Sequence, residues 1–103
     1  MNKNLLLWDI YEISTNGQQI NGVMLRGRIR KFAIENSFNV LSENTSDIQN
    51  GVRFAVLNSK DAEQVTEYVK TIIEGVTITL IRNSVPNPVL SKLQVNLEDR
   101  YKL

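Results

Sequence analysis

Residues 58 to 75 carry the plainest hydrophobic pattern in the chain. Val65, Tyr68, Val69, Ile72 and Ile73 recur at spacings of three and four, which lays one apolar stripe along a helix. Asn58 or Ser59 is placed to cap the first turn, Asp61 and Glu63 suit its positive end, and Gly75 follows as the stop. A second helical period spans residues 23 to 36, with Leu25, Ile29, Phe32 and Ala33 inward and Arg28, Lys31 and Glu35 outward. Gly27 in its first turn costs about 1 kcal/mol relative to alanine.

Strand patterns fill the gaps. Residues 5 to 14 are a mostly apolar run that suits a central strand, covered on part of both faces. Val52, Phe54 and Val56 alternate with Arg53 and Ala55 behind an Asn50-Gly51 turn signal. Val76, Ile78 and Leu80 alternate with threonines, and residues 38 to 42 read as a shorter strand. Leu93, Val95 and Leu97 alternate with Gln94 and Asn96, after a loop marked by Pro86 and Pro88. The order is β-α-β-β-α-β, with the last run a leftover strand or an extension of the fourth. The expected fold class is α+β: a ferredoxin-like βαββαβ sandwich with a mixed or antiparallel sheet and two helices on one face. Without repeats or a Pro/Gly-rich linker, residues 1 to 103 read as a single domain. The tail from 98 to 103 has no readable role, apart from a Tyr101 able to pack back against the sheet.

That fold hosts enzymes, RNA binders and regulatory modules alike, so function has to be read from side chains. Composition narrows the chemistry first. The chain has no cysteine, which excludes a disulfide framework, a thiolate nucleophile and a zinc finger. It has no histidine, which excludes a Ser-His-Asp triad and an imidazole proton shuttle. Lys and Arg number 12 against 11 Asp and Glu, and a net charge of +1 argues against bulk nucleic acid or an acidic membrane as the main partner. Leu5 to Trp8 is too short for a signal-peptide core or a membrane span, so the expected setting is the cytoplasm. Asp9, Glu12, Glu43 and Asp47 are scattered in sequence, and Asp61, Glu63 and Glu67 read as helix surface; neither set suggests a catalytic pair or a metal site.

The junction of the first strand and first helix is where chemistry concentrates. A Gly-bearing loop, Gly17 to Gly22, runs into a helix whose first turn carries Arg26. Backbone N–H groups at the positive end of a helix dipole bind anions, and a guanidinium can close over a phosphate held there. Read as one string, Ile20-Asn21-Gly22-Val23-Met24-Leu25-Arg26, followed by Ala33, Phe38, Leu41 and Asn44, resembles the acylphosphatase family. The family motif is Gly-x-Val-Gln-Gly-Val-x-Phe-Arg, then a helix, then an Asn on the next strand. Here Asn44 stands 18 residues after Arg26, the family spacing. Gln18 stands where the family has its first Gly, and Asn21, Leu25 and Leu41 stand for its Gln, Phe and Trp.

The resemblance implies a hydrolase that cleaves the carboxyl–phosphate bond of small acyl phosphates. It implies that Arg26 and the backbone of Gln19, Ile20, Asn21, Gly22 and Val23 bind the phosphoryl group, and that Asn44 orients the attacking water. It implies no metal and no cofactor. The alternative is a non-catalytic binding module that contacts a protein or nucleic acid. For RNA, Phe54 on the third strand with Trp8 or Tyr11 would stack bases, and Arg26, Arg28, Arg30 and Lys31 would touch phosphates. Phe54 alternates with Arg53, however, which points it toward the core.

Overall fold

The computed structural model describes residues 6–15, 24–48 and 50–95. Within them lie β1 (Trp8–Ser14), α1 (Leu25–Glu35), β2 (Leu41–Asn44), β3 (Val52–Val56), α2 (Ser59–Ile72), β4 (Thr77–Val85), β5 (Pro88–Val89) and β6 (Gln94–Val95). The protein is α+β, with two helices and a four-stranded antiparallel sheet in the order β2-β3-β1-β4. This architecture is compatible with a ferredoxin-like fold.

Local chemistry sets the helix ends. Asn58 Oδ1 accepts the Asp61 amide at 2.9 Å and caps α2, which buries Asp61 where the sequence suggested surface. After α2, Gly75 takes φ 74, a backbone conformation costly for any residue with a Cβ. At the end of α1, Phe38 N–H donates to Ala33 O at 3.0 Å and Ser37 N–H to Ile34 O at 3.2 Å, a Schellman motif with Ser37 at φ 60. The Phe38 ring meets Phe32 edge-on at 6.0 Å, closing the motif with an apolar contact. This closure takes up the residues expected to open the second strand, so β2 starts at Leu41 rather than at 38.

The period-two alternation sorts the sheet onto two cores. Ile13, Val52, Phe54 and Val56 pack with Leu25 and Ile29 of α1 and with Ala62, Val65 and Val69 of α2, so both helices share one face. Trp8, Ile10 and Ala55 point the other way and pack with Val85 and Leu90. That second face is covered by the C-terminal segment. The fourth strand is extended to Val85, and the remainder forms a separate two-stranded ribbon, β5 with β6, rather than a fifth strand of the sheet. Of the expected run, Gln94–Val95 forms β6, and Leu97, like Leu5, lies outside the described residues.

α1 packs mainly along β2 and α2 along β3, so the cover over β4 thins out beyond Ile78, which still packs on the core between helices and sheet. Leu80 is accordingly 49% exposed, although its alternation with threonines marks it as inward-facing.

The β2–β3 hairpin turns on a glycine. A Cβ at Gly51 would fall 2.9 Å from Thr45 Oγ1, which is already held by bonds to Ile48 O at 2.8 Å and Gly51 O at 3.1 Å. Gly51→Ala is therefore expected to destabilise the fold by about 1–3 kcal/mol, read from urea unfolding; an unchanged midpoint would mean the hairpin yields freely.

Candidate functional site

Helix α1 begins unusually. Its N-cap, Met24, sits at φ 56 and ψ 38 with no side-chain hydrogen bond to the first turn, and that turn holds no acidic residue. Among the described residues no side chain caps this helix start, and the positive end of a helix dipole favours an anion. Arg26 follows at the second helical position and is exposed. Asn44, also exposed, is the last residue of β2.

The tertiary structure brings these two residues together. Met24, Leu25, Arg26, Gly27 and Asn44 line one small cavity of about 180 Å³. Its walls are tied to each other at the base. Ser42 Oγ donates to Arg26 O at 2.9 Å, and Arg30 Nη2 donates to Ser42 O at 2.9 Å, so β2 is stitched to α1 by side chains from both. On its other side Asn44 pairs with Val52, and Thr45 N–H donates to Gly51 O at 3.0 Å, which fixes the hairpin that carries the carboxamide. The cavity is thus lined by an arginine and an asparagine held on anchored elements at the start of a helix. Such a set can bind a phosphoryl-sized anion and orient a water, with no group that must titrate near neutrality. Gln19, Ile20, Asn21, Gly22 and Val23, the proposed backbone rim, lie outside the described residues.

The aromatic platform that RNA stacking requires is not on the surface. Phe54 is fully buried and Trp8 nearly so, while Tyr11 stacks on Phe54 with centroids 5.2 Å apart. Burial, and then the charge of Asp9, holds the Tyr11 phenol above its ordinary value of 10.0. Of the basic run, Arg26 and Arg30 share one side of α1 and Arg28 and Lys31 another, following the helical period. A wider groove of about 560 Å³ runs over the outer side of α2, floored by Phe32 and Tyr68 stacked at 4.3 Å; it lies away from both Arg26 and Asn44.

Sequence reasoning missed one constellation. The carboxylates that look scattered gather on the far face of the sheet around Arg53, which is buried rather than solvated. Arg53 Nε donates to Glu12 Oε1 at 3.0 Å, and Nη1 donates to Asp47 Oδ2 at 3.0 Å and to Leu90 O at 2.9 Å. Nearby, Glu43 Oε1 accepts the amides of Leu90 at 3.0 Å and Ser91 at 3.1 Å. The available signal was an arginine inside a strand otherwise wholly apolar, a position that demands partners. With these acceptors engaged, the network works as a clasp on the C-terminal segment rather than as a reaction centre. Among the described residues no group of three or more acidic side chains is arranged to hold a metal, and no helix is long and apolar enough to cross a membrane. Comparison with protein-family models, with curated proteins and with solved structures finds no match to this chain.

Proposed function

We propose that this is an acylphosphatase-like hydrolase on a ferredoxin-like βαββαβ scaffold, acting on small acyl phosphates in the cytoplasm without metal or cofactor. The observation that carries the reading is the shared cavity of Arg26 and Asn44 at the uncapped start of α1. The strand order and the two helices packed on one sheet face support the scaffold. The resemblance of the segment from Ile20 to Asn44 to the family motif supports the reaction.

In this reading the Arg26 guanidinium and the amides of Gln19 to Val23 hold the phosphoryl oxygens. The Asn44 carboxamide directs a water at phosphorus, in line with the acyl oxygen. The new P–O bond forms to water as the bond to the acyl oxygen breaks. The carboxylate leaves as an anion that needs no proton, and the water's proton passes to a phosphoryl oxygen of the substrate itself. Catalysis then rests on positioning and on charge stabilisation by preorganised donors, which suits a chain without histidine or cysteine.

Hydrolysis of acetyl phosphate by the wild type is expected to exceed the uncatalysed rate, and Arg26→Ala and Asn44→Ala are each expected to lower kcat by about 10²–10³. Both positions are exposed, so both variants should fold like the parent. A well-folded wild type without turnover would overturn the proposal. So would turnover that both substitutions leave intact.

A further inference from the structure

The two edges of the sheet are finished differently. β2 is only four residues long, and the Arg30 guanidinium already occupies the Ser42 carbonyl at 2.9 Å. β4 is nine residues long, and its two halves contrast. In the second half the pairing with β1 shifts register twice, Ser84 takes φ 55, and its amide donates to Asp9 Oδ1 at 3.0 Å. The first half pairs Thr77, Ile78, Thr79 and Leu80 with Ser14, Ile13, Glu12 and Tyr11 in unbroken register. Among the described residues nothing hydrogen-bonds its outer side, and Thr77, Thr79 and Leu80 are exposed. Residues 76 to 81 read Val-Thr-Ile-Thr-Leu-Ile, with no charge, proline or glycine. Natural edges are protected by charges, prolines, bulges or a covering element, and among the described residues this segment has none of them.

We infer that the outer edge of β4 pairs with the same edge of a second copy of this chain, antiparallel about a two-fold axis, so that two sheets become one. The occupant follows from the edge. A row of open N–H and C=O groups is satisfied by another uncharged open strand, and β4 is itself such a strand. Antiparallel self-pairing is isologous, so one contact satisfies both copies. On the helix side, Leu80 stands beside Tyr11 and is 49% exposed, and the two-fold brings it close to its counterpart, covering apolar surface that each copy leaves open. Arg82 is the one charged residue in β4 and lies in the irregular half, outside the pairing segment, while a net charge of +1 per chain opposes association only weakly. The joined sheet stops at two copies because its remaining edges are the β2 strands, short and already engaged by Arg30. None of this depends on the hydrolase reading.

Sedimentation equilibrium of the whole chain over a roughly hundredfold range of concentration is expected to show the mass rising from 11.8 kDa toward twice that value. Hydrogen exchange at the same concentrations should show protection of the outward amides within residues 77 to 81 growing with the dimer fraction. Thr79→Lys and Leu80→Lys each place like charges across the new ladder and should weaken the dimer by about tenfold or more. Were either variant to lose its fold, the concentration dependence of wild-type exchange decides alone. A mass fixed at 11.8 kDa throughout, a dimer whose β4 amides exchange as in the monomer, or an open-ended polymer would each overturn the inference.

Discussion

Phe54→Ala is expected to destabilise the protein by about 3–5 kcal/mol, a large part of the roughly 5–15 kcal/mol that holds a domain of this size folded. Phe54 is fully buried at the middle of β3, where five consecutive residues are covered on both faces. Its ring lies flat against Tyr11 at 5.2 Å and belongs to the cluster where both helices meet the sheet. Truncation therefore removes the transfer free energy of the ring and leaves a cavity bounded by two helices and two strands, elements that cannot all close inward together. Urea unfolding should show a lower midpoint with an unchanged slope. A loss below about 1 kcal/mol would mean that the layer between helices and sheet is loosely packed. At 25 °C the variant, if folded, should keep the Arg26–Asn44 cavity, because Phe54 does not line it.

Arg53→Met should cost about 2–4 kcal/mol, even though methionine suits an apolar site. The side chain of Arg53 is 3% exposed, while those of Glu12 and Asp47 are 27% and 36% exposed. Replacing only the cation leaves two partly desolvated carboxylates facing each other and the Leu90 carbonyl without its donor. Breaking a fully buried pair costs about 3–5 kcal/mol, and access of water to both acids lowers the expectation here. A second signature separates the clasp from a general loss of packing: the Leu90 and Ser91 amides should exchange faster than the β3 amides. Adding Glu12→Gln to Arg53→Met should restore part of the loss, because it removes one of the repelling charges. A cost under about 0.5 kcal/mol would place the network among ordinary surface pairs.

The helices were legible because what defines them is local. Asn58, one of the two candidate caps, and the stripe at Val65 and Val69 each act on residues within a turn or two of their own position, and the structure has them in those roles, while Gly75 follows two residues beyond the C-cap Ile73. Strand alternation was equally readable for Val52, Phe54 and Val56. It failed in opposite directions at Arg53 and Leu80. Arg53 occupies the face that alternation assigns to solvent, yet the segment around Leu90 covers it. Leu80 occupies the face assigned to the core, yet the helices lie over β2 and β3 and do not reach it.

The candidate site divides in the same way. The residue types and the spacing from Arg26 to Asn44 could be read along the chain. Their convergence could not, because it depends on β2 running beside α1 and on the Ser42 and Arg30 bonds that hold it there. Periodicity, caps and turn residues, which act within a few positions of each other, were settled by the amino-acid sequence alone. Which face of each strand is covered, which carboxylates surround Arg53, and which edge stays open were settled only by the folded chain. Burial and charge pairing belong to neighbours that distant segments supply, and no local pattern contains them.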